Sequence, residues 1–279
     1  MTSYSIIIPT LGDRGGALKR AIYSAIHHIS DDIEVIVVDD CTPDDSVRAA
    51  TAGLPVRYIR RHRNGGVAAA QNSGIDESEG QFITFLHSDD AIPSDRLWRS
   101  VPKGIAVGRL KIGQEMISSS LANATVEDLL WHRFGVHIAS CVFDRELLEK
   151  VRFDEALRSW EDWDLLLRIW MLQAPVEQYD ECFARLYIDG DDRLSFSPAM
   201  SIALPTLYHK HRGLIWGDRR LRALWEFKIA RLQLRSGNTT EGRRWLRKSL
   251  ARDPLHPRRW VYAASREARP RAPVTSTAP

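Results

Sequence analysis

Four short apolar runs constrain this chain most: YSIIIPT (4–10), IEVIVVDD (33–40), VRYIR (56–60) and QFITFLH (81–87). The β-branched content and short length of the first two predict strands buried on both faces. Helical patterns separate the runs. Residues 15–29 place Leu18, Ile22, Ala25, Ile26 and Ile29 on one helical face, residues 44–52 fit a short helix, and residues 64–80 open on glycines and continue as an alanine-rich helix. Strands alternating with helices predict an α/β fold with a mainly parallel sheet. Such sheets bind ligands beyond the carboxyl ends of their strands. Two paired carboxylates fall at such ends: Asp39-Asp40 closes the second run, and Asp89-Asp90 follows the fourth. The same signature past two strands points both pairs toward one cleft.

The rest of the chain is less regular. Residues 91–136 contain Pro93, Pro102 and several glycines, and are expected to form loops and short elements. Residues 137–151 read as a strand followed by a short helix. Residues 159–173 read as a helix entered through acids, with Leu165, Leu166, Ile169 and Trp170 as its apolar stripe. After residue 203 the pattern is wholly helical. Leu221, Leu224, Trp225, Ile229 and Leu232 form one stripe, residues 236–238 break it, a second helix runs over 239–254, and a third starts at Pro257. The division expected from these patterns is an α/β domain over 1–203, a basic all-α extension over 204–267 and a Pro-, Thr- and Ala-rich disordered tail over 268–279.

Charge supports two units with different surfaces. The net charge is +3, yet the segment from Thr206 onward holds 18 Lys or Arg against 5 Asp or Glu. A basic unit of this kind can meet a membrane surface, an acidic acceptor or a nucleic acid, or can simply carry solvated helix faces. Three cysteines, Cys41, Cys141 and Cys182, are too few and too dispersed for a disulfide framework or a zinc cluster, and read as free thiols. No run approaches the ~18 apolar residues of a membrane span. The start of the chain has neither the basic region nor the long apolar stretch of a secretion signal. The expectation is a cytoplasmic protein, peripheral at the inner face of a membrane if the basic helices bind lipid.

Four segments, in order, carry a resemblance: SIIIPT, EVIVVDDCTPDDS, NGGVAAAQNSGIDESEGQFITFLHSDD and SCVFDRELLEKVRFDEALRSWEDWDLLLRI. Together they span about two-thirds of the chain and resemble family 2 glycosyltransferases of the GT-A fold. Departures from the family pattern are Gly12 after PTL, Gln71 in place of Arg, Cys41 in place of Gly and His87 in place of Asp. The resemblance implies transfer of a sugar from a nucleotide-diphosphate sugar, UDP-linked by preference, to an acceptor hydroxyl by a single inverting displacement. It implies a divalent ion, Mn²⁺ or Mg²⁺, to neutralise the leaving diphosphate, and a carboxylate to deprotonate the acceptor.

Residue by residue, the resemblance makes Asp90 the metal ligand and Asp89 a contact to the donor ribose or a second metal contact. Asp40 would hydrogen-bond the nucleobase, with Pro9 and Thr10 lining its pocket. Ala69 and Asn72 would let the backbone approach the donor, or else pack their helix on the sheet. Asp162 would be the catalytic base and Glu161 would position it or the acceptor. Trp160 and Trp163 can stack on a sugar or pack internally. Asp164 and Arg168, spaced i,i+4, read as an ion pair. Asp189 is a weak candidate for a third metal ligand. His87 reads as peripheral, because strand alternation points Asp89 rather than Asp90 its way.

The helical end resembles part of a tetratricopeptide-like unit, which cannot bury a core alone. It is expected to pack on the α/β domain, on a second subunit in a homodimer or on the acceptor, or to make a membrane contact, with nucleic acid disfavoured. Acceptors left open are glycans, lipid-linked glycans, metabolites and peptides. Two other functions stay open: a non-catalytic nucleotide-sugar-binding scaffold, and a nucleotidyltransferase, whose glycine-rich basic loop PTLGDRGG (9–16) echoes only faintly.

Overall fold

The structure, a computed structural model, describes residues 3–13, 15–131, 135–187 and 198–264. It divides into two compact units, residues 1–191 and 192–279. In the first, β1 (Tyr4–Thr10), β2 (Ile33–Asp39), β3 (Arg57–Arg60) and β4 (Phe82–Phe85) run parallel in the order β3-β2-β1-β4. Their carboxyl ends therefore share one edge. The crossovers are α1 (Ala17–Ile26), α2 (Ser46–Thr51) and α3 (Val67–Glu77). Side chains of β1 alternate between faces. Ile6 and Ile8 pack with Leu18, Ala21, Ile22 and Ala25 of α1, while Ile7 faces α3. There a Cβ added to Gly74 would sit 2.4 Å from Cγ2 of Ile7, so α3 lies closer to the sheet than any larger residue allows. Ile6, Ile7 and Ile8 are fully buried, each contributing roughly 1.5–3 kcal/mol.

Pro9 sits in this central strand without harm to the ladder. Ile7 and Pro9 present their backbone groups to the same side, and Ile7 O accepts from Leu86 N on the β4 side. The β1–β4 register ends at Ile7 opposite Phe85. Pro9 thus faces a gap where no partner needs its missing N–H. On the other side the pairing continues, and Asp40 N donates to Thr10 O.

Beyond β4 the sheet changes direction. β7 (Cys141–Asp144) pairs antiparallel with β4, and β5 (Ile105–Ile112) pairs antiparallel with β7. β6 (Glu115–Ile117) forms a hairpin with β5, and β8 (Val176–Leu186) lies parallel to it. The expectation of loops and short elements over 91–136 is corrected here by the eight-residue β5. Its sequence, IAVGRLKI, carries a glycine and two basic residues that mask the strand. Gly108 is a close approach: an added Cβ would meet the Phe183 ring at 2.2 Å. The helices of this half are α4 (Val126–Trp131), α5 (Arg145–Val151) and α6 (Glu161–Met171). Asp144 caps α5 by accepting from Glu146 N at 2.8 Å.

The second unit is helical: α7 (Pro198–Lys210), α8 (Arg212–Ile215), α9 (Arg219–Arg235), α10 (Thr239–Arg252) and α11 (Pro257–Ala264). Asp218 caps α9 through the amides of Arg220 and Leu221. Buried Glu226 of α9 accepts from Arg252 of α10 at 2.8 Å and from Tyr208 of α7 at 2.9 Å. No helix among the described residues is long and apolar enough to cross a membrane.

Candidate active site

The first cluster forms where β2 ends and α3 begins. Asp39 is spent internally: it accepts from Thr42 N and from the Tyr58 hydroxyl, each at 2.8 Å. Asp40, 3% exposed, turns to α3. Its carboxylate accepts from Gly65 N at 3.0 Å and Gly66 N at 2.6 Å, and is ion-paired with Arg61. Backbone amides at a helix start, plus a guanidinium, suit a carboxylate on both electrostatic and hydrogen-bonding grounds. Arg61 also donates from Nε to the Ser73 hydroxyl at 3.0 Å, which ties the pair to α3. Cys41, next in sequence, has φ 65. This left-handed conformation costs glycine nothing and a residue with a side chain more.

Pro9 and Thr10 are buried at the end of β1 beside this cluster, with Thr10 Oγ1 donating to Gly12 O at 2.9 Å. Ala69 is buried within α3, under Gly65. Asn72 has its side-chain amide engaged on both atoms. Nδ2 donates to Phe153 O at 3.0 Å and to Glu155 Oε1 at 2.9 Å, while Oδ1 accepts from Phe153 N at 3.0 Å. Asn72 thereby fastens α3 to the segment that leads into α6.

The second cluster follows β4. β1 lies between β2 and β4, so ordinary strand spacing sets the two clusters about 10 Å apart along the edge. After Phe85 the chain turns, with Asp90 N donating to His87 O at 3.1 Å. Asp89 is exposed, and its backbone carbonyl accepts from Arg20 Nη2 at 2.9 Å. Asp90 is buried, and His87 Nδ1 lies 3.9 Å from its Oδ2. Burial pushes the Asp90 carboxyl up to about 6, against the opposing pull of His87. His87 is therefore not peripheral. The alternation argument failed because β4 has ended by residue 87 and the turn folds His87 back onto Asp90. The His87 and His137 rings meet edge to face with centroids 4.8 Å apart. Burial, then the neighbouring His87, holds His137 well below the usual histidine range.

The third part is the start of α6. Trp160, with φ 67, sits at its N-cap, and Glu161 and Asp162 occupy the first turn. Asp162 Oδ1 accepts from Trp163 N at 2.6 Å. Burial raises the Asp162 carboxyl, and His87 pulls it down. Burial first, then the charge of Asp162, pushes Glu161 up to about 8. Burial thus makes both acids harder to ionise than solvated carboxyls, and each adds to the cost of charging the other. Trp163 is packed inside, its Nε1 donating to Leu129 O at 2.7 Å. Asp164 and Arg168 form an ion pair at 2.8 Å, and Arg168 also donates to the carbonyls of Val151 and Arg152.

The structure therefore brings Asp90, His87, His137, Asp162 and Glu161 into one neighbourhood. Asp40 stands in the other cluster, with Arg61 and the α3 amides. Asp189 lies outside the described residues. Sequence reasoning missed Arg61 and His137. The basic residue directly after the third strand was a usable signal for Arg61; nothing in HIASCVF marked His137. Among the described residues, one ligand atom each from His87, Asp90 and His137 lie within 4.8 Å of one another, a donor set compatible with a divalent ion.

Residues 5–103 match the model of Glycosyl transferase family 2. The succinoglycan biosynthesis protein ExoO of Rhizobium meliloti (strain 1021) is 35% identical over 178 residues, 53% of this chain and 50% of that protein. A GalNAc(5)-diNAcBac-PP-undecaprenol beta-1,3-glucosyltransferase of Campylobacter jejuni is 30% identical over 175 residues, 56% of each chain. The crystal structure of S. aureus TarS 1–349 in complex with UDP-GlcNAc shares the fold at TM-score 0.60 and 16% identity, over 90% of this chain and 89% of that one. The chain spans 50% and 56% of the length of the two curated relatives named here.

Proposed function

We propose a function from the premise that residues 5–103 belong to glycosyl transferase family 2: the chain transfers a sugar from a nucleotide-diphosphate sugar to an acceptor hydroxyl, by direct displacement with inversion. The observation that carries this reading is the pair Glu161 and Asp162 at the start of α6, buried beside the acids that follow β4. In this reading Asp162 takes the proton of the acceptor hydroxyl. Its burial makes it a stronger base than a solvated aspartate, and Glu161, still protonated, can orient it or the acceptor.

At the other cluster, Asp40 and its partner Arg61 would present hydrogen-bonding groups to a nucleobase, with Pro9 and Thr10 lining the pocket. Ala69 and Asn72 keep α3 close to that pocket. Asp90, with the exposed Asp89 beside it, would hold a divalent ion, Mn²⁺ or Mg²⁺, whose contribution is to neutralise charge on the departing diphosphate. Asp89, exposed beside Asp90, would meet a ribose hydroxyl. TarS crystallised with UDP and UDP-GlcNAc, so UDP-sugars are the first donors to test.

The acceptor is a glycan or lipid-linked glycan in this reading, consistent with the undecaprenol-linked name of one relative. The basic helical unit, with Trp216, Leu255 and Trp260 exposed, would contact a membrane's inner face or a second copy of the chain. A nucleotide-release assay across common nucleotide sugars tests the reading. Asp162→Asn should bind UDP as the unaltered protein does and lose about 10²–10⁴-fold in turnover. Full turnover by that variant would remove Asp162 as the base.

A further inference from the structure

We propose that His87, Asp90 and His137 form a cation site with two imidazole nitrogens and one carboxylate oxygen, selective for zinc-type ions over Mg²⁺. The proposal takes up the metal position at Asp90 given above and revises the ion there from Mn²⁺ or Mg²⁺ to a zinc-type ion; it does not depend on the transfer reaction. Its ligand atoms lie within 4.8 Å of one another. Ligands of a tetrahedral zinc ion sit about 3.4 Å apart, given Zn–N distances of ~2.0–2.1 Å. Closing the site therefore needs side-chain movements of about 1 Å, well within rotamer adjustment.

Two further observations favour a ligand here. His87 Nε2 is buried without a hydrogen-bond partner, and a buried polar atom left unspent calls for one. His137 is held in place from its own backbone: Ser140 Oγ donates to His137 O at 2.8 Å, and Ala139 N donates to His137 Nδ1 at 3.3 Å. The second bond is long, so an ion bound at Nδ1 displaces little. Nitrogen ligands set the selectivity. Imidazole suits Zn²⁺ and its neighbours, while Mg²⁺ seeks oxygen ligands and keeps its waters. Three protein ligands also leave a coordination position open, as catalytic rather than structural zinc sites do.

The test uses the full chain, stripped by chelator and titrated calorimetrically with ZnCl₂, CoCl₂, MnCl₂ and MgCl₂. Zn²⁺ and Co²⁺ should bind at least ~100-fold more tightly than Mg²⁺, and bound Co²⁺ should show the visible spectrum of a nitrogen-ligated ion. His87→Gln and His137→Asn should each weaken Zn²⁺ by at least the ~10-fold that loss of even an outer partner brings. His137→Asn retains an acceptor for the Ala139 amide, so it separates ligation from capping, and metal-free melting of each variant checks its fold. Equal affinity for Mg²⁺ and Zn²⁺, or undiminished Zn²⁺ binding by His137→Asn, overturns the site. Nucleotide-sugar turnover alongside that second result would leave the transferase reading intact. Selective Zn²⁺ binding by a chain that turns over no nucleotide sugar would do the reverse.

Discussion

Replacing Asp40 by asparagine tests the joint between sheet and α3. The carboxylate is 3% exposed and receives Gly65 N, Gly66 N and Arg61. Asparagine keeps the shape but only one acceptor oxygen. Whichever way its amide turns, its NH₂ group faces another donor, and Arg61 loses its counter-charge. An unsatisfied buried donor costs about 1–3 kcal/mol, and breaking a buried ion pair about 3–5 kcal/mol. Arg61 is 16% exposed, so water recovers part of the second cost. The expected loss is about 3 kcal/mol, a urea midpoint lower by about 1.5 M for a slope of ~2 kcal/mol/M. Tryptophan fluorescence in urea, without nucleotide, measures it. Arg61→Gln in the Asp40→Asn background should then cost less than it does alone, by about 1–3 kcal/mol of coupling. A loss below about 1 kcal/mol for Asp40→Asn, with no coupling, would refute the convergence of three donors on this carboxylate.

Three further outcomes follow from the same structure. The folded value of Glu161 lies near 8, above the usual 4.5, so its stabilising contribution is complete at low pH and is lost as pH rises through about 8; Glu161→Gln cannot ionise, and its urea midpoint should gain on the unaltered protein from about pH 5 to pH 9, parallel midpoints counting against the burial argument. Cys41→Gly relieves a left-handed residue worth about 1–2 kcal/mol and adds unfolded-chain entropy of about 0.4–1 kcal/mol. Melting should therefore rise by roughly 1–4 °C, and a fall would show that the cysteine is not strained there. Gly74→Val drives a branched side chain into Ile7, with its Cβ 2.4 Å from Cγ2, and should cost about 1–3 kcal/mol; adding Ile7→Ala should return part of that, and a Gly74→Val protein that melts normally would mean α3 shifts freely.

The parallel half of the fold was legible because its signals are local. Continuous β-branched runs, helical spacing between them and acids at their ends each need only a short window of sequence. β5 and β8 were not legible for the opposite reason. Gly108 looks like a break until Phe183, 75 residues later, lies against it, and β8, VEQYDECFARL, carries four charges and received no assignment. The site divides in the same way. Asp90 and Asp162 stand in recognisable strings, whereas His137 gains meaning only when a turn after β4 carries His87 to it. His87 itself was misread through a rule that holds inside a strand and fails just past its end.

The Asn72 clamp has a consequence for the order in which the molecule assembles. β1 through β4 and their helices are complete within the first 85 residues, so this half can form while the remainder is still being synthesised. The hydrogen bonds of Asp40 to Gly65, Gly66 and Arg61 all lie within this half. Phe153, the backbone partner of Asn72, emerges 81 residues after it, and Asp162 follows closely behind. Until that long loop closes, against the entropy of so wide a separation, the nascent chain holds the Asp40–Arg61 cluster without the carboxylates of α6. Asn72 is thus the latch whose closing joins α3 to the segment that carries α6.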